Sequence, residues 1–161
     1  MGALQATSLL IRDKCDILIH INVNVNKSAP AYDRIWAFQA TCEEYHVPYD
    51  IDLSVKGASY HELLDVIREI FNKIESKYPD QKKGIFLAND TYANMFLNLI
   101  FQKYGTFPST YEIVGFDNSP IASEAILPIT TIGQQIDVIA KTAMDPVSYT
   151  HLRAHETRED L

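Results

Sequence analysis

Short apolar runs alternate along this chain with stretches in which apolar residues recur at helical spacing. The clearest runs are 17–21, 84–88 and 112–116, and each has the length of one buried strand. Between these runs, apolar residues repeat every three or four positions, as they do on one face of an amphipathic helix. Strands that alternate with helices predict right-handed βαβ units. The sequence therefore predicts an α/β fold, an open parallel sheet with helices on both faces.

Composition limits what such a domain can bind. The 161 residues are 47% hydrophobic and 22% charged, which is typical of one ordinary globular domain. The 14 Lys and Arg residues are outnumbered by 21 Asp and Glu residues, and no basic run interrupts the net charge of −7. This balance argues against a nucleic-acid surface on the chain, because phosphate binding needs clustered positive charge.

Neither a membrane span nor a cysteine framework is indicated. The longest apolar runs are strand-sized, whereas a membrane helix needs about 20 apolar residues, and no signal-peptide pattern follows Met1. Cys15 and Cys42 are far apart and form no C-x-x-C motif, so we expect two buried thiols in a reducing cytosol rather than a disulfide or a zinc site.

The fold class indicates where a ligand would bind. In open parallel sheets, ligands bind at the carboxyl ends of the strands. The segments in question are 22–30, Asn89-Asp90, Asp117-Asn118 and the stretch after Ile132. Polar residues in or beside these segments are therefore the candidate functional residues.

Several motifs follow one another in a fixed order along the chain. They are Ala88-Asn89-Asp90, then Val114-Gly115-Phe116-Asp117-Asn118, then Pro128-Ile129-Thr130-Thr131-Ile132-Gly133-Gln134. The last two are similar to V-V-G-F-D-D and P-x-L-T-T-I-x-Q, and upstream Arg34-Ile35-Trp36-Ala37-Phe38 is similar to R-x-x-G-F. Together these motifs resemble the sensor domain of LacI/GalR-type transcriptional regulators, over residues 2 to about 144.

The chain departs from the family pattern at two places. Ala37 replaces the usual glycine before Phe38, and Asp13-Lys14-Cys15 replaces Gly-His-Arg or Gly-His-Lys. Neither position carries ligand chemistry in the family. The resemblance still implies a Rossmann-like lobe of the periplasmic-binding-protein-like type I fold.

Four polar residues match positions that bind or adjoin the effector in this family. The resemblance implies that Arg34 binds the effector, that Asn89 and Asp117 are polar contacts at strand ends, and that Gln134 lies beside the pocket. Their chemistry agrees, since planar groups with paired donors or acceptors suit the neighbouring hydroxyls of a sugar. The implied partner is a small-molecule effector, and no cofactor or metal is implied.

Some polar residues at the strand ends also have a purely structural interpretation. Asp90 is predicted to be the N-cap of the following helix rather than a ligand contact. The structural alternative for Asn118 is that it only shapes its turn. Without the family resemblance, Arg34 would also fit a surface arginine on a helix.

Aromatic and histidine side chains receive a structural interpretation as well. Trp36, Phe38 and Tyr45 recur at helical spacing, so we predict core residues rather than walls of a pocket. Three histidines have no partner at the spacing of a metal site and are predicted to be structural or solvated: His20, His46 and His61.

The function implied by the resemblance is sensing without catalysis. The chain contains no G-x-S-x-G, H-E-x-x-H, Walker or G-x-G-x-x-G motif. An effector between two lobes would bias their closure in a cytoplasmic homodimer that reads DNA through a separate helix-turn-helix and contacts no membrane. The alternative is the sugar-binding protein of an ABC uptake system, which has the same two-lobed fold.

The resemblance also divides the chain. Residues 1–134 are predicted to form the second lobe of the effector domain, and residues 135–145 a crossover helix that packs on the first lobe. The first lobe and the helix-turn-helix precede the segment that Gly2 resembles, so we expect this fragment alone to bind sugar weakly or not at all.

The character of the sequence changes at Pro146. Residues 146–157 resemble a translated sequencing adapter, so residues 146–161 are predicted to be a non-native tail. His151 and His155 are four positions apart and would otherwise resemble a two-histidine metal face on a helix. We reject that site because the adapter accounts for the whole segment.

Overall fold

Helices and strands alternate from residue 2 to residue 116, as predicted. The computed structural model describes residues 2–23, 29–55, 59–116 and 130–132. The elements in these ranges are α1 (Gly2–Arg12), β1 (Ile17–Val23), α2 (Ala29–Glu44), β2 (Tyr49–Val55), α3 (Tyr60–Lys77), β3 (Lys83–Leu87), α4 (Asp90–Tyr104), β4 (Tyr111–Phe116) and β5 (Thr130–Ile132).

The described strands form one parallel sheet in the order β2-β1-β3-β4-β5. Side chains alternate between its faces, so Ile17, Ile19 and Ile21 of β1 join the apolar cluster under α3 and α4. Leu18 joins a second cluster, which lies under α1 and α2. The predicted open parallel sheet with helices on both faces is confirmed.

A buried lysine fixes the amino-terminal edge of the sheet. The side chain of Lys83, the first residue of β3, is 1% exposed. Its Nζ donates to the carbonyl oxygens of Tyr78 at 2.8 Å and Gln81 at 2.9 Å, and lies 4.5 Å from the Tyr111 ring centroid. These contacts replace water around the ammonium group, although burial still lowers its pKa.

Three helices end in a residue with left-handed backbone conformation. The residues are Lys14 after α1, with φ 62°, His46 after α2, with φ 57°, and Gly105 after α4, with φ 69°. After Lys14 and His46, the next N–H donates to the carbonyl five positions earlier, at 3.3 and 2.9 Å. This Schellman arrangement ends α2 at Glu44, before Pro48 is reached.

The burial of the α2 aromatic residues only partly follows the prediction. Phe38 is fully buried in the cluster under α1 and α2, as predicted. Trp36 and Tyr45 are 69% and 57% exposed, so their assignment to the core was wrong. Trp36 lies two positions from Phe38, about 200° around the helix axis, and therefore faces away from the sheet. Tyr45 follows the last residue of α2.

Both cysteines are free and buried, as predicted. Burial is the main cause that raises the pKa of Cys15 and of Cys42 to about 12. Each thiol therefore packs as a small apolar group. None of the helices within the described ranges is long and apolar enough to cross a membrane.

Candidate ligand-binding site

Three neighbouring strands and one helix meet at the carboxyl edge of the sheet. Strand β3 leads into Ala88 and Asn89, β4 ends at Phe116, and β1 carries the buried Asn22 near its end. The helix α2 returns from this edge and presents Arg34 in its second turn. These elements therefore meet at the edge where ligands bind in open parallel sheets.

Arg34 bridges the ends of β3 and β4. Its guanidinium carbon lies 4.3 Å from the ring centroid of Phe116, a cation–π contact. Its Nη1 donates to the carbonyl oxygen of Ala88 at 3.4 Å, a long and therefore weak hydrogen bond. The side chain is half-buried against two strand ends, unlike a solvated surface arginine. Its guanidinium has five N–H donors, and among the described residues Ala88 accepts from one of its nitrogens.

Asn89 caps α4, a role that the sequence analysis gave to Asp90. The Asn89 backbone is extended, with φ −153° and ψ 170°, and its side-chain oxygen accepts from the N–H of Tyr92 at 2.9 Å. Asp90 is the first helical residue, so its prediction as N-cap was wrong. With its oxygen engaged in the cap, half-buried Asn89 would offer a ligand its two amide N–H donors.

Asp90 instead packs on β4. Its side chain is 1% exposed and lies over Gly115. A Cβ atom added at Gly115 would lie 2.3 Å from the Asp90 carboxylate oxygen and 3.4 Å from the Ala93 Cβ. The glycine of the Gly-Phe-Asp motif therefore lets the start of α4 approach β4 closely, one residue before Phe116.

Two residues that the sequence analysis did not place in the site lie at or under it. Phe116 provides the surface on which Arg34 lies, and His20 is fully buried in the middle of β1. Asn22, the first residue of the predicted segment 22–30, is 3% exposed near the end of β1. A polar residue inside an apolar strand is the signal that marks His20 in the sequence. Phe116 carries no such signal, because it also fits the apolar pattern of a strand.

The structure brings together two of the four predicted site residues. Arg34 donates to the carbonyl of Ala88, which directly precedes Asn89 in the chain. Asp117 and Gln134 lie outside the described residues, as do Asn118 and the segments 135–145 and 146–161. In the described ranges, no group of three or more His, Cys, Asp or Glu side chains is arranged to hold a metal ion.

An open parallel sheet with polar groups at its carboxyl edge defines the class of α/β proteins that bind small ligands there. Within that class, the chain belongs to the family of periplasmic binding protein-like domains, whose family model matches residues 9–148. The ribose operon repressor of Halalkalibacterium halodurans is 27% identical over 135 residues, which cover 84% of this chain.

Solved structures show the same fold. The periplasmic binding ribose operon repressor protein from Lactobacillus acidophilus matches 99% of this chain and 55% of its own, with a TM-score of 0.68 and 17% identity. A periplasmic binding protein/LacI transcriptional regulator from Alkaliphilus metalliredigens, complexed with D-xylulofuranose, matches 98% of this chain and 53% of its own, with a TM-score of 0.66 and 20% identity.

The chain is shorter than these relatives. It spans 38% of the length of the Halalkalibacterium repressor. It spans about half of each of the two solved chains.

Proposed function

We propose that the chain is the effector-sensing lobe of a LacI/GalR-type transcriptional regulator and that its effector is a small sugar. The observation that carries this proposal is the position of Arg34, which lies across two strand ends at the ligand-binding edge of the sheet. The named relatives support it, since they include a ribose operon repressor and a regulator complexed with D-xylulofuranose. Pentoses are therefore the first candidates.

The chemistry of the site suits a polyol. The guanidinium of Arg34 and the amide of Asn89 present donors in fixed planes, which match the spacing of neighbouring hydroxyl groups. The half-buried ring of Phe116 lies beside them as an apolar surface for the sugar's C–H groups. Asp117 follows Phe116 directly, and we assign it and Gln134 as further polar contacts.

Sensing requires that the sugar distinguish between two arrangements of the protein. We infer that a sugar held between this lobe and a first lobe stabilises the closed arrangement and thereby changes DNA binding by a helix-turn-helix in a cytoplasmic homodimer. Nothing in this scheme needs bond chemistry, a cofactor or a metal. The chain therefore acts as a sensor and not as an enzyme.

A sugar-binding protein of an uptake system is the second candidate. It is supported by the words "periplasmic binding" in the names of both solved relatives. The genomic sequence upstream of the chain, read in frame, separates the two candidates. A helix-turn-helix there supports the regulator, and a secretory leader contradicts it.

The division of the chain belongs to the same proposal. We assign residues 1–134 to the second lobe, 135–145 to a helix that crosses to the first lobe, and 146–161 to a non-native tail. Independent sequencing of the gene across codon 145 tests the tail. A different sequence after Asp145 is expected, and the same tail in an independent genome would contradict the assignment.

The role of Arg34 is tested in the full-length gene product. Titration calorimetry with D-ribose, followed by other pentoses and hexoses, first identifies a sugar that binds. Arg34→Ala should then weaken its binding by at least about tenfold, because a buried charge-assisted hydrogen bond contributes about 1.5–3 kcal/mol.

Arg68→Ala is the matched control for this experiment. Arg68 is an exposed arginine of α3, paired with Asp65 at 3.2 Å, and lies outside the site. Its substitution should leave sugar affinity unchanged. Equal affinity of the wild type and Arg34→Ala would remove Arg34 from the effector site.

A further inference from the structure

A row of rings leads from the centre of the sheet to Arg34. The imidazole of His20 lies 4.4 Å from the ring of Phe86, measured between centroids, and Phe86 lies 6.3 Å from Phe116. Phe116 in turn lies 4.3 Å beneath the guanidinium carbon of Arg34. These rings belong to β1, β3 and β4, so the row crosses the sheet beneath the candidate site.

His20 also bonds to the backbone of the neighbouring strand. Its Nδ1 lies 2.9 Å from the carbonyl oxygen of Phe86, the residue paired with it in the register of β1 and β3. A carbonyl oxygen only accepts, so the imidazole carries its proton on Nδ1. The ring therefore holds the backbone of Phe86 as well as its side chain.

The other ring nitrogen fixes the charge state of His20. Nε2 is buried and has no hydrogen-bond partner among the residues that the structure describes. The rings packed against the imidazole are Phe38 from α2 and Phe86 from β3, and the charged group that acts on it is Arg34, also from α2. Burial lowers the pKa of His20 to about 4, the bond to Phe86 opposes this shift, and the charge of Arg34 adds to it. The native imidazole is thus neutral at pH 7.

We propose that neutral His20 is the positioning residue of the effector site, holding Phe86 and Phe116 in the row on which the Arg34 guanidinium lies. This inference rests on the proposed role of Arg34 in effector binding. A proton on Nε2 would place a second cation near Arg34 and a donor among phenyl rings that cannot accept it well. Acid should therefore displace the Arg34 side chain from Phe116.

The position of Arg34 is measured without any effector. Aliphatic and Nε–H protons of an arginine above an aromatic ring are shifted upfield, so the NMR resonances of Arg34 report its contact with Phe116. The spectra are recorded on this chain as wild type, His20→Leu and His20→Phe, from pH 7 to pH 4, with circular dichroism to confirm folding. His61→Leu is the control, since His61 is an exposed histidine on α3.

The proposal predicts a distinct result for each variant. In the wild type, the upfield shift of the Arg34 resonances is present at pH 7 and lost in acid. In His20→Leu, the shift is lost at pH 7, whereas His20→Phe keeps a ring in the row and retains the shift down to pH 4. His61→Leu behaves as the wild type.

Two results would overturn the proposal. One is an Arg34 shift that is unchanged in folded His20→Leu, since a purely structural histidine would lower stability without moving Arg34. The other is an acid-induced loss of the shift that is the same in the wild type and His20→Phe. If His20→Leu does not fold, this second comparison alone decides the question.

The positioning role and the proposed function fail separately. In the full-length product, His20→Leu should weaken binding of the sugar by about fivefold. This factor corresponds to the loss of one cation–π contact. If the Arg34 resonances follow His20 but Arg34→Ala leaves sugar affinity unchanged, the effector role of Arg34 fails and the positioning of its side chain stands.

Discussion

Gly115 is the residue at which packing and the candidate site are most tightly linked. It lies in β4, one position before the Phe116 ring that supports Arg34, and the buried carboxylate of Asp90 lies directly over it. Any larger residue would separate α4 from β4. The close packing of α4 on β4, next to the ring that supports Arg34, therefore depends on the absence of a side chain at this position.

Substitution of Gly115 tests this packing. Gly115→Ala would place a Cβ atom 2.3 Å from the Asp90 carboxylate oxygen. We expect it to lower the free energy of unfolding by about 1–3 kcal/mol, the usual cost of overpacking, as measured by urea denaturation. Asp90→Ala removes the opposing group, so the double variant should be more stable than the sum of the single effects predicts. Additive effects would contradict the proposed contact.

His20 gives stability a pH dependence of defined sign. Its pKa falls from 6.5 in the unfolded chain to about 4 in the native state, mainly through burial, so the unfolded chain binds the proton more tightly. The contribution of neutral His20 to the free energy of unfolding is fully present above pH 6.5 and is lost as the pH falls toward 4. The pKa difference corresponds to about 3 kcal/mol. His20→Phe should remove this acid-induced loss of stability, as measured by urea denaturation at each pH. If the free energy of unfolding falls equally with pH in the wild type and in His20→Phe, the prediction is contradicted.

At the scale of elements, the sequence predicted where strands and helices lie better than where helices begin and end. Apolar periodicity predicted the order of the elements because burial on one face or both faces produces it directly. The ends depend on local backbone geometry instead. Asn89 and Asp90 are both good capping residues, and only the extended backbone at Asn89 selects it. Likewise, no pattern predicts that His46 adopts a left-handed conformation and ends α2 before Pro48.

The left-handed residues at helix ends offer a test of this local geometry. Lys14→Gly and His46→Gly should each raise the free energy of unfolding by about 0.5–1 kcal/mol, because glycine adopts a positive φ without steric cost. Gly105→Ala should lower it by about 1 kcal/mol for the same reason. Thermal or urea denaturation provides the measurement.

Glu44→Gly serves as the control for the helix-end substitutions. Glu44 is the exposed last residue of α2 and has helical backbone conformation. Glycine at this position should destabilise the protein slightly, since it loses more backbone entropy on folding. Stabilisation by all three glycine substitutions would show that φ is not the cause.

At the scale of the whole molecule, the described residues include one face of the candidate ligand site. The sequence predicted Arg34 and Asn89 through motifs whose polar residues stand out against apolar strands. It did not predict Phe116 or His20 as part of the site, because a side chain's neighbours across a sheet depend on strand order and register. The strand order β2-β1-β3-β4-β5 is what places His20, Phe86 and Phe116 in one row.

The central claim is that this lobe senses a sugar on behalf of a DNA-binding regulator. Fluorescence anisotropy of labelled duplex DNA from the promoter nearest the gene, bound to the full-length protein, tests it most directly. Addition of the sugar found by calorimetry should change DNA affinity by about 5–150-fold, and Arg34→Ala should abolish this response while DNA binding persists. A full-length protein that binds the sugar but shows no DNA affinity, or none that the sugar changes, would contradict the claim.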